Sequence, residues 1–314
     1  MFAYSQFFLN FVRKNQIIKT MRIVKFLTIV IVALLATQHS MAQTDSVFKL
    51  VKEDGHFYFE AGINGVNAKV MLESGVPGLM MSEGFYEANK EALKMDVKEA
   101  DERIHYLGGI HTIKYTAQAR LQIGDAIFEG PVKIAEGNHK LMIPINMLHH
   151  ASDNSSIVKI DFKNNELSVC KRENLQDIVK DEKALNLTYN QWRMPVVNTT
   201  LNMTVDDSNV SLKGNFIVDM GNASLLFLNK SQGSVVRMLK DNKVKLLEAR
   251  DRNGKVVSEG IFADKLIICN KTYTDASVGV SQFKSLEECG FLGLKFFTMP
   301  AVFDFDNNKM YLCK

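Results

Sequence analysis

The hydrophobic pattern along this chain is that of a β-rich protein. Short runs of Val, Ile, Phe and Tyr alternate with polar positions and are bounded by Gly, Asn and Asp, which is typical of strands joined by tight turns. Helical periodicity is confined chiefly to Glu83–Ala100 and Ser231–Lys240. Strands are predicted at His56–Glu60, Ala68–Leu72, Ala119–Ile123, Val132–Ile134, Ile157–Ile160 and Phe216–Val218.

Several dipeptides between these runs contain residues that tolerate a positive φ, so they predict hairpin turns. The polar, charged span 171–186 interrupts the strand pattern and predicts a boundary between two lobes, 43–185 and 186–314. The expected fold class is all-β with few short helices. The predicted hairpin turns are Asn64-Gly65, Gly124-Asp125, Asn164-Asn165, Asn253-Gly254 and Asn307-Asn308.

Residues 1–42 carry a different pattern, that of a secretory signal peptide. A basic start at Met21–Lys25 precedes an apolar run, Phe26–Ala36, and a small-x-small cleavage sequence that ends at Ala42. Because this run is far shorter than the roughly 20 residues needed to cross a bilayer, no integral membrane anchor is expected. Met21 is the predicted true start and Gln43 the predicted first residue of the mature chain, which is expected to be exported to a periplasm or the extracellular space.

Removal of this leader changes the charge of the protein. The full chain has 38 Lys and Arg against 35 Asp and Glu, and its first 42 residues contain five basic residues and no acidic one. The mature chain therefore has 33 basic and 35 acidic residues, a net charge of −2. This balance gives no reason to expect a nucleic acid or an anionic membrane as partner.

The chain contains an internal duplication. Lys69-Val-Met-Leu-Glu-Ser-Gly75 aligns with Asn215-Phe-Ile-Val-Asp-Met-Gly221, and the segment 161–170 aligns with 304–313 at an offset of 143 with five identical positions. Weaker matches lie between these anchors in the same order: Gly109 with Gly254, 121–123 with 266–268, and Phe128 with Tyr273. Each copy has one acidic residue where a hydrophobic strand ends. A functional site that uses both acidic residues is therefore expected where the two copies face each other.

Four cysteines remain after the leader, and they allow three complete disulfide pairings among which the sequence does not choose. Their spacing excludes a CxxC redox or zinc motif, and no metal site is predicted. Trp192 is expected in the core. Asp161 and Asp304 are expected to begin hairpins through side-chain-to-backbone hydrogen bonds. The cysteines are Cys170, Cys269, Cys289 and Cys313.

The paired arrangement resembles the aspartic peptidases in their bilobal, retropepsin-like secreted form. In that family each lobe has a hydrophobic-hydrophobic-Asp-Thr/Ser-Gly turn supported by a later hydrophobic-hydrophobic-Gly phrase. Asp219-Met220-Gly221 with Phe291-Leu292-Gly293 matches the pattern in part, and Glu73-Ser74-Gly75 with Met142-Ile143-Pro144 matches it less well. The resemblance covers nearly the whole mature chain and implies two β-barrel-like lobes related by a pseudo-twofold axis.

The resemblance implies peptide-bond hydrolysis by the carboxylate pair Glu73 and Asp219, which would share a proton. Ser74, Gly75, Met220 and Gly221 would support the two turns. The glycines of two later hairpins would form a flap and the adjoining substrate cleft. An extended peptide or unfolded protein segment is the implied partner, and no cofactor is implied. The flap and cleft glycines are Gly108, Gly109 and Gly254.

Three residues depart from the family pattern and predict weak or absent hydrolysis. Glu73 is one methylene longer than Asp, Met220 has no hydroxyl with which to lock the two turns, and Pro144 replaces the supporting glycine. A catalytically inactive peptide-binding protein is therefore the alternative that mechanism favours. A structural β-protein, with Glu73 as a solvated turn carboxylate, is the remaining alternative.

Overall fold

Twenty-two strands in two sheets dominate this computed structural model, which describes residues 45–106, 109–137 and 140–313. The predicted leader, 1–42, lies outside the described residues. No helix in these ranges is both long and apolar enough to span a membrane. The strands up to residue 170 are β1 (Ser46–Lys49), β2 (Val51–Glu53), β3 (His56–Ile63), β4 (Val66–Glu73), β5 (Leu79–Ser82), β6 (Lys98–Tyr106), β7 (Gly109–Ile123), β8 (Ala126–Ala135), β9 (Leu141–Pro144), β10 (Leu148–His150), β11 (Ile157–Asp161) and β12 (Glu166–Cys170).

The strands of the second copy continue the same alternation of hairpins and short parallel pairs. Three short α-helices, α1 (Glu83–Leu93), α2 (Leu175–Val179) and α3 (Gly233–Asp241), pack among the strands of the described chain. The remaining strands are β13 (Leu185–Tyr189), β14 (Pro195–Val205), β15 (Ser208–Val218), β16 (Leu226–Asn229), β17 (Leu247–Arg250), β18 (Val256–Ile268), β19 (Lys271–Ser281), β20 (Gly290–Leu292), β21 (Ala301–Asp304) and β22 (Lys309–Leu312).

All six strands and all five hairpin turns that the sequence predicts are present. The helix predicted over Glu83–Ala100 is too long, however, because it ends at Leu93. Lys94 follows in the left-handed conformation, with φ 49° and ψ 42°, and closes the last turn by donating its N–H to the Lys90 carbonyl. The charged segment beyond it forms strand β6, which pairs with β7.

The strand pairing repeats between the two copies. β4 pairs in parallel with β9 in the first copy, and β15 pairs in parallel with β20 in the second. In the β7–β8 hairpin Leu121 lies opposite Phe128, and in the β18–β19 hairpin Leu266 lies opposite Tyr273. These are the positions that the sequence alignment of the copies matches, so the duplication is present in the strand register.

One sheet joins both copies. It runs in the order β1-β12-β11-β21-β22-β13 and continues into the strands of the second copy, whereas β2–β10 form the other sheet. Arg172, directly after β12, contacts Asp304 at 2.6 Å and also pairs with Asp306. This ion-pair group ties the end of the first copy to the closing hairpin of the second.

The turn carboxylates of the two closing hairpins bond their own backbones, as predicted from the sequence. Asp161 Oδ1 accepts the N–H groups of Lys163 and Asn164 at 3.0 Å each. Asp304 Oδ1 accepts the N–H of Asn307 at 3.3 Å. The four cysteines, Cys170, Cys269, Cys289 and Cys313, are free thiols in this structure.

Candidate active site

Two short parallel strand pairs bring Glu73 and Asp219 together. Glu73 ends β4 and lies opposite Pro144, and Asp219 directly follows β15 and donates its N–H to the Leu292 carbonyl at 2.9 Å. Both strands end in buried hydrophobic residues, which fixes the depth at which each carboxylate leaves the sheet. The two side chains are only 6% and 8% exposed.

Each carboxylate stands over the glycine of the opposite turn. A β-carbon built on Gly75 would lie 2.7 Å from Asp219 Oδ1, and one built on Gly221 would overlap the carboxylate of Glu73. Only glycine leaves this space free, because any side chain would push the two carboxyls apart. The turns therefore interlock through their glycines, and the carboxyls meet where the copies face each other.

The additional methylene of Glu73 is accommodated by its hydrogen bonds. Glu73 Oε2 accepts the N–H groups of Ser74 at 3.1 Å and Gly75 at 3.2 Å. Asp219 Oδ1 accepts the N–H of Gly221 at 3.1 Å in the other turn. Both carboxyls thus bond the glycine N–H two residues further along, although one side chain is longer than the other.

Burial and proximity raise the pKa of both carboxyls. Loss of solvent, and then the negative charge of Asp219, raise the pKa of Glu73 to about 8, against the opposing effect of backbone N–H groups. Burial likewise raises the pKa of Asp219 to about 6. Two carboxyls that interact this strongly titrate as one unit, so a range of near-neutral pH exists in which the pair holds a single proton.

The two turns are locked by a hydroxyl from one side only. Ser74 Oγ donates to the Val218 carbonyl at 2.7 Å and accepts the N–H of Met220 at 2.9 Å. The corresponding residue of the second turn, Met220, is 1% exposed and packs in the main hydrophobic core. A hydroxyl at position 220 would bond the first turn as Ser74 bonds the second. Met220 makes apolar contacts in its place.

Ser74→Ala is expected to lower the free energy of unfolding by about 2–4 kcal/mol, because it leaves a fully buried carbonyl and a fully buried N–H without partners. Chemical denaturation measures this change. Ser211→Ala on an exposed part of β15 is the matched control, with an expected change within about 0.5 kcal/mol. Equal effects of the two substitutions would contradict the lock.

Pro144 and Gly293 occupy corresponding ends of the supporting strands but make different contacts. A β-carbon on Gly293 would lie 2.5 Å from the Asn222 carbonyl oxygen, and Gly293 N–H donates to the Leu225 carbonyl at 3.1 Å. Pro144 has no N–H to donate, so this link is absent from the first copy. The support behind Glu73 therefore differs from that behind Asp219.

His56 is a site neighbour that the sequence pattern did not indicate. A β-carbon on Gly55 would stand 3.3 Å from Ala223 Cβ, so the turn before β3 packs on the loop that follows Asp219. Burial, and then the charge of Lys140, lower the pKa of His56, while the Gly221 backbone opposes them. The sequence Asp54-Gly55 does predict a turn before His56. It does not predict which distant segment that turn contacts.

Three buried polar atoms beside the Asp219 turn have no hydrogen-bond partner among the described residues: His56 Nδ1, Asn222 Nδ2 and Ser224 Oγ. Buried polar groups are nearly always paired, so such a group of atoms is unusual.

Gly109 begins β7 at the tip of the β6–β7 hairpin, and Gly254 lies in the β17–β18 turn with φ 78°. Gly108, the remaining predicted flap residue, lies outside the described residues.

A solved structure with the same fold is the aspartic proteinase from Irpex lacteus. The two chains are 11% identical and superpose with a TM-score of 0.52 over 85% of this chain and 96% of the proteinase. No family model matches the sequence. No curated protein is similar to it at a significant level. At this identity the likeness establishes the fold, so the chain has the all-β, two-lobe architecture of the aspartic peptidases, as the sequence predicted.

Proposed function

We propose that this protein is exported, binds an extended peptide between its two lobes and hydrolyses it slowly with Glu73 and Asp219. The observation that carries the proposal is the meeting of one buried carboxyl from each copy, each placed over the other's turn glycine. Two carboxyls with raised, coupled pKa values can act as base and acid together.

The proposed reaction uses the singly protonated pair. Between about pH 6 and pH 8 the pair holds one proton, and we place it on Glu73 because the pKa of Glu73 is raised further than that of Asp219. Asp219 would take a proton from water as the water oxygen attacks the peptide carbonyl carbon, while the Glu73 carboxyl donates a hydrogen bond to the carbonyl oxygen. The tetrahedral intermediate then breaks its C–N bond, and the proton held by Asp219 passes to the leaving amine.

The proposed binding mode is strand addition, in which backbone hydrogen bonds hold an extended peptide and side-chain pockets select it. Gly109 and Gly254 would allow the two hairpins to approach the peptide backbone closely. The unpartnered atoms of His56, Asn222 and Ser224 support a polar ligand on the Asp219 side. A peptide supplies both donors and acceptors there.

A second candidate is a peptide-binding protein without catalysis. Met220 favours it, because its side chain cannot give the Glu73 turn the hydroxyl hydrogen bonds that Ser74 gives the second turn. Pro144 favours it too, since the link that Gly293 makes in the second copy has no counterpart behind Glu73. A displacement of the carboxyls by about 1 Å is sufficient to reduce the rate about 100-fold.

The test is cleavage of a peptide library by the chain starting at Gln43, between pH 4 and pH 9, with and without a statine-type inhibitor. We expect slow, inhibitor-sensitive cleavage with its maximum between about pH 6 and pH 8. Asp219→Asn should abolish it. Asp264→Asn, at an exposed position of β18, is the matched control and should leave the rate unchanged.

Two further outcomes separate the candidates. Tight binding of the statine-type inhibitor without cleavage at any pH would establish the second candidate. Failure of both binding and cleavage would contradict the proposal altogether. If Met220 limits the rate, Glu73→Asp combined with Met220→Thr should raise cleavage by more than the product of the two single effects, because residues that act as one unit are not additive.

A further inference from the structure

A cavity lies in the second copy, away from the carboxyl pair. It has a volume of about 350 Å³ and is bounded by the loop between β13 and β14, by β15 and by the segment before β20. Asn215 lines it and lies four residues before Asp219 on β15, which corresponds to about 13 Å along the strand. Nothing in the proposed hydrolysis uses this cavity.

The segment before β20 gives the cavity an acidic wall. Glu287 and Glu288 line it, and neither forms a salt bridge with a described residue. Glu288 is only 7% exposed, and its Oε2 has no hydrogen-bond partner in the part of the chain that the structure describes. A buried carboxylate without a counter-ion lowers stability, so its presence calls for a positively charged ligand.

The loop between β13 and β14 contributes an amide to the same cavity. Asn190 Oδ1 accepts the N–H groups of Trp192 at 3.0 Å and Met194 at 3.1 Å, which fixes the orientation of the amide. Its Nδ2 is buried and has no acceptor within residues 45–106, 109–137 and 140–313. The cavity therefore presents an unused acceptor on Glu288 and an unused donor on Asn190.

Aromatic side chains complete the cavity. Trp192, expected in the core from the sequence, is instead half-buried and lines the cavity beside Tyr189. Burial, and then the charges of Asp306 and Asp304, raise the pKa of Tyr189 to about 12, so its phenol stays neutral at ordinary pH. Indole and phenol rings attract organic cations through their π faces.

We infer that this cavity binds a primary ammonium compound with an acceptor oxygen beside the charged group, such as an amino amide or the amino terminus of a peptide. The ammonium would pair with Glu288, and the neighbouring oxygen would accept from Asn190 Nδ2. A metal ion fits less well, because no group of three or more metal-ligating side chains occurs in the described ranges. The cavity volume is near the lower end of small-molecule sites, which suits a ligand of this size.

Trp192 provides a direct readout, because it is the single tryptophan of the chain. Titration of the chain starting at Gln43 with leucinamide should change the Trp192 fluorescence in a saturable manner. N-acetyl-leucinamide, which lacks the positive charge, should bind at least about tenfold more weakly. This comparison uses the unmodified protein and does not depend on whether it hydrolyses peptides.

Variants then assign the effect to the cavity. Glu288→Gln should weaken leucinamide binding by about tenfold or more, since it removes a charge-assisted hydrogen bond. Glu91→Gln, which removes the same charge from an exposed position of α1, should not change the affinity. A cooperative unfolding transition checks that each variant is folded. Equal binding of the charged and neutral amides, or no saturable change with either, would overturn the inference.

Discussion

Glu73→Gln is expected to raise the free energy of unfolding at pH 9 by on the order of 3 kcal/mol, and to change it little at pH 4. The wild-type pair is buried and loses stability when it must hold two negative charges. Glutamine imitates the protonated form of Glu73 at every pH. Its Oε1 can accept the Ser74 and Gly75 N–H groups, and its amide can donate to Asp219.

The direction of this change in stability with pH follows from the raised pKa of Glu73. The folded pKa of Glu73 is raised from 4.5 to about 8, so the folded state holds a proton that the unfolded chain has already released. The stability that this proton confers is complete below about pH 4.5 and is lost as the pH rises through about 8. Denaturant unfolding of both proteins from pH 4 to pH 9 measures the difference.

Glu91→Gln, on the exposed face of α1, is the control for this experiment and should alter stability by no more than about 0.5 kcal/mol at any of these pH values. If Glu73→Gln changes the free energy of unfolding by the same amount at pH 9 as at pH 4, the carboxyls do not share a proton. Cleavage by the Glu73→Gln variant should also be lost, so one substitution would increase stability while it removes the proposed activity.

Gly290→Ala is expected to destabilise the protein by about 4 kcal/mol or more. Gly290 begins β20, which lies between β15 and β16 in the sheet. A β-carbon there would overlap the Phe227 carbonyl oxygen and lie 2.9 Å from the Phe227 carbonyl carbon. Because the clash is with backbone, it cannot be relieved by a side-chain rotation, and β20 must move away from β16.

Gly84→Ala is the matched control, because a β-carbon on Gly84 would have no heavy atom within 4 Å. Gly84 lies in α1, so alanine should stabilise the protein there by about 0.5–1 kcal/mol. Thermal unfolding of both variants checks the two signs. A stable Gly290→Ala variant would show that β20 is less closely packed than the structure indicates. The same strand contains Leu292, whose carbonyl accepts the N–H of Asp219, so the support of that turn would be looser as well.

The pairing of Glu73 with Asp219 was predictable from the sequence because the two copies repeat their strand pattern and end in the same kind of turn. The register matched between the β7–β8 and β18–β19 hairpins, since alternation of apolar residues fixes which face of a strand is buried. What the alignment could not predict was the adaptation of the longer Glu73. That adaptation depends on two backbone N–H groups and not on residue type.

The features that the sequence missed arise from contacts between segments distant in the chain. His56 belongs to the first copy but packs beside a turn of the second. Trp192 is a large aromatic residue of the kind expected in a core, but the β13–β14 loop places it beside a cavity. The first residues of β6, Lys98–Ala100, were predicted to end a helix. Their strand conformation comes from pairing with β7, and hydrophobic periodicity does not record pairing.

The shared sheet has a consequence for how this chain folds. β11 pairs with β21 at Ile157 and Asp304, so its partner is more than 140 residues further along the chain. Contacts this distant in sequence incur the entropy of closing a long loop before they contribute stability, and they slow folding. The first copy therefore completes its closing sheet only after nearly the whole polypeptide has been synthesised. Any product that ends before Ala301 would expose β11 as an unpaired, largely apolar edge that is prone to aggregation.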